Sequence, residues 1–247
     1  MAIFDYHKYA SPKFFYSFAG RLTPWMAGLT AVLLVAGVYL GLFVAPTDYQ
    51  QGESYRIMFI HVPAAWMSMF IYVCMAGAGA VALVWNIKLS EMFASHCAPV
   101  GASFTFLALV TGSLWGKPMW GTWWAWDARL TSELILFFLY IGYMALQASI
   151  DDPRRAARAA AILALVGVVN IPVIHFSVQW WNTLHQPASV SKIGAPTIAT
   201  SMLIPLLLMA FAFTFYFVTV MLIRMRNEIL ERERHTRWVA QVLESET

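Results

Sequence analysis

Six stretches of the chain, residues 22–44, 57–85, 97–115, 130–150, 159–181 and 200–223, are long apolar runs almost without charge. Five of them contain no Asp, Glu, Lys or Arg, and the exception holds only Glu133. A bilayer core is crossed by about 20 apolar residues in helical form. Lipid offers the backbone no hydrogen-bond partner, so each run must satisfy its own N–H and C=O groups, which a helix does and a lone strand does not. No period-two alternation interrupts the apolarity. The sequence therefore predicts an all-α polytopic membrane protein with six transmembrane helices, organised as a single six-helix membrane domain over 1–247.

Composition agrees. Charged residues make up 12% of the 247, where a soluble domain carries roughly 25%. That excludes a cytosolic enzyme, a disordered tail protein or a nucleic-acid binder, and leaves lipid as the surrounding medium. Two cysteines, Cys74 and Cys97, are too few for a disulfide scaffold or a Cys-rich zinc module, and no C-x-x-C-H run is present. They read as small packing residues.

Orientation follows from the basic residues. The N-terminus (Lys8, Lys13, Arg21), Lys88, Arg154, Arg155, Arg158 and the five arginines of 224–247 make 12 of the 16 Lys and Arg. Both termini are expected in the cytoplasm, with three loops outside. The first apolar run lacks a small-residue cleavage site followed by a soluble domain, so a signal peptide is not expected. Residues 224–247 mix Arg with Glu228, Glu231 and Glu233 and predict a cytoplasmic helical tail that continues helix six into water as an ion-paired end.

The outer side concentrates unusual residues. Trp115, Trp120, Trp123, Trp124 and Trp126 are five of the eleven tryptophans, within twelve positions between helices three and four. An interfacial belt explains tryptophans scattered round a rim. A run of five in one loop also suits a shelf for a flat apolar ligand. With Pro118 in the first turn of a short surface helix, Trp120, Trp123, Trp124 and Asp127 would share one face.

Histidines divide by side. His7, His96 and His235 fall on the cytoplasmic side, whereas His61, His175 and His185 fall at or near the outer one. Each alone reads as a solvated or hydrogen-bonded side chain. Beside a tryptophan shelf, two imidazoles can hold one iron between them. Arg56, Lys117, Arg129 and Lys192 are the four basic residues left outside. The guanidinium fork suits the propionates of a porphyrin. Arg129 can instead pair with Glu133 at i,i+4, and Asp127 reads as the N-cap of helix four. Pro63, Pro172 and Pro205 predict kinks inside spans, and Asn170 is the principal mid-span polar group.

The run Trp115-Gly-Lys-Pro-Met-Trp120-Gly-Thr-Trp123-Trp124-Ala-Trp126-Asp127-Ala-Arg129 resembles the WWD signature of haem-handling proteins in cytochrome c biogenesis. Phe176-Ser-Val-Gln-Trp180-Trp181-Asn-Thr-Leu-His185-Gln is similar to the second histidine motif of the cytochrome c maturation protein C branch, also called haem exporter protein C. The resemblance covers nearly the whole chain. It implies that His61 and His185 are the axial ligands of haem b (iron protoporphyrin IX), and that Trp115, Trp120, Trp123, Trp124, Trp126 and Asp127 form a platform within a periplasmic segment 115–129. Arg56 and Arg129 would face the propionates. His175 matches no ligand position and stays a secondary candidate.

The same resemblance implies a multi-pass protein of the bacterial inner membrane, with its active face periplasmic. It would present haem to a periplasmic haem chaperone (cytochrome c maturation protein E). An ABC transporter built from maturation proteins A and B, and a small single-span protein, maturation protein D, would assist. That is a delivery role and not free-standing catalysis. A transmembrane haem transporter and a b-type electron-transfer cytochrome are the alternatives. The first calls for broken helices or a polar path, and the second for histidines facing each other within the span.

Overall fold

The computed structural model describes residues 11–246, and the readings of His7 and Lys8 lie outside the described residues. Helix α1 (Pro12–Tyr39) runs into a π-helical turn, Leu40–Val44, and a 3-10 turn, Glu53–Ile57, leads into α2 (Met58–Trp85). Then follow α3 (Lys88–Trp120), α4 (Ala128–Ala148), α5 (Pro153–Gly167), α6 (Asn170–Trp180), α7 (Thr200–Arg232) and α8 (Arg237–Glu246), with no strand among the described residues. Among the described residues six units are long and apolar enough to cross a membrane: Pro12–Val44, Glu53–Trp85, Lys88–Trp120, Ala128–Ala148, Pro153–Trp180 and Thr200–Arg232. Each expected span is present. Four extend well beyond their charge-free windows, because helix ends remain helical where neighbours and ion pairs support them.

Helices α2 and α3 pack along each other at the centre, with α4 and α5 on one flank and α7 and α1 on the other. Water-driven burial does not operate between helices in lipid, so small residues that allow close approach set the packing. A Cβ on Gly101 of α3 would lie 2.1 Å from Tyr140 Cζ of α4, and one on Gly167 would lie 2.1 Å from Tyr72 Oη of α2. Polar groups add cross-links. Ser68 Oγ donates to Glu133 Oε1 at 2.7 Å, and Tyr140 Oη donates to the Ser68 carbonyl at 2.8 Å, joining α4 to α2. Glu133 thus meets a hydroxyl, and the Arg129–Glu133 ion pair is not formed.

Span five is not one helix. The ladder lapses at 168–169, where Val169 N reaches Val166 O only at 3.5 Å and Ile171 N takes Val168 O at 3.0 Å. Pro172, expected to kink the span, lacks the N–H that would bridge this turn, so the kink is a break just before it. Asn170 Nδ2 donates to the Ser132 carbonyl at 2.9 Å and fastens the start of α6 to α4. Pro63 and Pro205 lie inside continuous helices.

Alternation of six spans puts loops 45–52, 121–127 and 181–199 at one end of the bundle, the aromatic end. Loops 86–87 and 149–152 and the chain beyond α7 lie at the other, the basic end. There Arg232 pairs with Glu91 at 3.0 Å and with Glu228 at 2.6 Å, and His96 Nε2 lies 2.5 Å from Glu228 Oε2. The tail keeps the expected ion-paired helix as far as Arg232 and departs from it only beyond that residue. The chain turns at 233–236 and α8 folds back, burying Val239 and packing Trp238 against Tyr16 of α1 at 5.7 Å between ring centroids. An apolar stripe of Trp238, Val239 and Val242 on α8 drives this docking.

Candidate functional site

His61 sits one turn into α2, half-buried against α3. Its Nδ1 lies 3.0 Å from the Ala108 carbonyl and 3.1 Å from Thr111 Oγ1. A carbonyl only accepts, so Nδ1 carries the proton and donates. Nε2 keeps its lone pair and has no hydrogen-bond partner among the described residues. The imidazole fits because α3 has no side chain opposite: a Cβ on Gly112 would lie 2.9 Å from His61 Cε1. One turn on, a Cβ on Gly116 would meet the Trp120 ring at 2.9 Å. Gly112 and Gly116 are a pair of seats, for an imidazole and an indole. Sequence reasoning missed them, although a G-x-x-x-G spacing in an apolar helix is a readable signal.

The tryptophan segment differs from its expected shape. Pro118 lies in the last turn of α3, which Gly121 ends in the left-handed region at φ 73°, and residues 122–127 form no helix. The single helical face of Trp120, Trp123, Trp124 and Asp127 is therefore replaced by two groups. Trp115 and Trp120 project from α3, with Trp115 edge-on to His61 at 5.8 Å and its Nε1 donating to Gln51 Oε1 at 2.9 Å. Trp123, Trp124 and Trp126 ride on the loop. Trp124 stands edge-on to Trp126 at 5.5 Å, Lys117 lies 5.8 Å over Trp123, and Ser113 Oγ donates to the Trp123 carbonyl at 2.5 Å. Trp124 Nε1 is buried without a partner among the described residues.

Asp127 joins this segment to loop 181–199. Its Oδ1 caps α4 by accepting from Leu130 N at 2.8 Å, and its Oδ2 accepts from Leu184 N at 3.1 Å. The next residue, His185, places Nδ1 3.8 Å from that same Oδ2, and its ring lies 4.9 Å from Trp120 at 63°. His185 Nδ1 is buried without a hydrogen bond among the described residues. Burial, and then the positive charge of Arg129, push this imidazole down from 6.5 to about 4 against the pull of Asp127. It is neutral at pH 7, the form that ligates metals. His61, His185 and Arg129 lie close enough to interact electrostatically.

The two arginines have different surroundings. Arg56 is paired with Glu53 and donates through Nη1 to the Gly41 carbonyl at 2.8 Å, pinning the π-helical turn of span one to span two. Among the described residues Arg129 has no carboxylate partner in an ion pair, and its Nη1 donates to the Ile174 carbonyl of α6 at 2.8 Å. His175 stands apart, on the side of α6 that faces a groove beside α2. No group of three or more His, Cys, Asp or Glu among the described residues is arranged to hold a bare metal ion.

The profile of the family described as "Heme exporter protein C" matches residues 5–240. A heme exporter protein C of Bradyrhizobium diazoefficiens is 58% identical over 223 residues, covering 90% of this chain and 84% of that protein. One from Haemophilus influenzae is 53% identical over 233 residues, 94% and 95% of the two chains. One from Escherichia coli strain K12 is 51% identical over 237 residues, 96% of each.

Proposed function

Because the chain belongs to the haem exporter protein C family, a family of multi-pass membrane proteins in haem transport and cytochrome c biogenesis, we propose that its aromatic end binds haem b and presents it for delivery. His61 and His185 would be the axial ligands, and the platform comprises Trp115, Trp120, Trp123, Trp124, Trp126 and Asp127. Arg129 is the cation available to a propionate. Arg56 would serve a second propionate only in exchange for Glu53.

The observation that carries this reading is the state of the two imidazoles. His61 has its proton fixed on Nδ1 by a backbone carbonyl and its Nε2 free. A carbonyl held by the far ring nitrogen is the arrangement that orients metal-ligating histidines. His185 is uncharged, and its Nδ1 faces a carboxylate 3.8 Å away, so a shift of about 1 Å would make the hydrogen bond and leave Nε2 as donor to a metal. Two protein nitrogens do not satisfy a bare metal ion, which takes four or more ligands. They do complete an iron whose other four positions a porphyrin fills. Indole edges and faces beside each imidazole suit the macrocycle.

Two axial imidazoles saturate iron and so suppress oxygen chemistry while the exposed Trp123 and Trp126 leave a ring edge open to a partner. In this reading the aromatic end faces the periplasm of a bacterial inner membrane. The recipient is a periplasmic haem chaperone, maturation protein E. An ABC transporter of maturation proteins A and B, with the small single-span maturation protein D, completes the assembly. The protein holds and positions haem and leaves covalent attachment to the partner. Purified protein should show a bis-histidine haem spectrum. His61→Ala and His185→Ala should each cut haem content at least several-fold and shift the Soret band. Unchanged content and band position in both variants refute the ligand pair.

A second reading, transport of haem through the helices, is favoured by the break in span five, the kind of interruption that lines transporter sites. Its one mid-span amide, Asn170, is already bonded to Ser132. Translocation of iron protoporphyrin IX into sealed vesicles by this chain alone would establish that reading.

A further inference from the structure

The two halves of span five take different neighbours: α5 packs on α2 and α4, whereas α6 packs chiefly on α4. Where α6 parts from α2 a groove of about 370 Å³ opens, lined by Met69, Phe70 and Val73 on one wall and by Pro172, His175 and Phe176 on the other. Every lining residue except His175 is apolar. The ring of His175 has no hydrogen-bond partner among the described residues. An unpartnered imidazole in an otherwise apolar groove is unfavourable, and an acyl chain in the groove would not relieve it. A ligand with a flat apolar body and a metal at its centre would.

The groove also leads somewhere. His175 stands edge-on to Phe176 at 4.7 Å, Phe176 stacks on Trp180 at 5.3 Å and 26°, and Trp180 meets Trp181 at 5.8 Å. Phe176, Trp180 and Trp181 are exposed on the bundle surface. This line of rings climbs about 9 Å of helix from the groove to the loop that carries His185. At its foot, the Ile174 carbonyl next to His175 is the one held by Arg129, so the cation at the platform also borders the groove.

We propose that this groove is a lateral uptake site, where haem dissolved in the bilayer docks with His175 as a single axial ligand before passing along the aromatic line to His61 and His185. The proposal rests on the platform reading above. The full chain in lipid nanodiscs is mixed with phosphatidylcholine vesicles carrying ferric protoporphyrin IX, and loading is followed at the Soret band. His175→Ala, and Val73→Trp, which fills the groove from a lipid-facing position, should each slow loading at least tenfold yet reach the native final spectrum. The His61→Ala/His185→Ala double variant should retain some haem with a single-histidine spectrum, lost when His175→Ala is added.

Native loading rates in both His175→Ala and Val73→Trp overturn the groove and leave the platform standing. Slowing by Val73→Trp alone overturns the axial role of His175. A native spectrum that survives loss of His61 and His185 but vanishes with His175→Ala overturns the platform and leaves the groove.

Discussion

His185 sits between Arg129, which disfavours its proton, and Asp127, which favours it, and burial decides the contest, taking it from 6.5 to about 4. Above pH 6.5 the imidazole is neutral whether loop 181–199 is docked or released. Between 6.5 and about 4 only the released loop takes up a proton, so docking is complete above 6.5 and weakens as pH falls, by at most about 1.4 kcal/mol per pH unit. Limited proteolysis of this loop should therefore accelerate on acidification below 6.5. Arg129→Ala should raise the His185 value toward 6.5, as read by NMR of labelled histidine, and narrow that acid-sensitive window. Gly112→Ala should act on the other imidazole: a methyl 2.9 Å from His61 Cε1 displaces the ring, with an overpacking cost of about 1–3 kcal/mol. Loss of haem content is expected, and full retention would show that the seat is not needed. His61, His175, His185 and Arg129 stood out in the sequence as polar groups at a membrane boundary among apolar neighbours, and only the resemblance singled out His61 and His185 as a pair. The G-x-x-x-G spacing of Gly112 and Gly116 was readable as a close-approach site, but that Gly112 seats the imidazole of α2 is a tertiary fact.

The same distinction separates helices from their packing. Charge-free runs located all six spans. The π-helical turn at Leu40–Val44, the break at 168–169 and the folding back of α8 left no mark in hydropathy, which is blind to backbone pairing and to what a helix end meets. Small residues carry part of the missing information. Gly101→Ala would drive a methyl into Tyr140, whose hydroxyl holds the Ser68 carbonyl, combining overpacking with a stranded buried hydroxyl, each about 1–3 kcal/mol. Gly77 has nothing within 4 Å of the equivalent position, and its replacement by alanine relieves a helix-interior glycine worth roughly 0.5–1 kcal/mol. Thermal unfolding in detergent should place Gly101→Ala below the native midpoint and Gly77→Ala at or above it. Equal midpoints would mean that α3 and α4 do not approach as closely as the structure has them.

At the scale of the molecule the chain is polarised. One end gathers His61, His185, the tryptophan segment and four basic residues, while the other carries Lys88, Arg154, Arg155, Arg158 and the arginines of α7 and beyond, tied by the Glu91, Glu228 and Arg232 pairs. Basic residues resist translocation during insertion, so the basic end should stay in the cytoplasm and the aromatic end should face outward. The two ends can be told apart in intact cells with a membrane-impermeant maleimide in a background where Cys74 and Cys97 are replaced by serine. Ser191→Cys in loop 181–199 should label from outside, and Asp151→Cys, in the exposed turn between α4 and α5, only after lysis. The reverse pattern would place the histidines and tryptophans on the side where haem is made, leaving no need for a lateral route. With the expected pattern, haem held as proposed by His61 and His185 would have to cross or skirt the bundle, and the groove at the break in span five would open on the lipid side of that path.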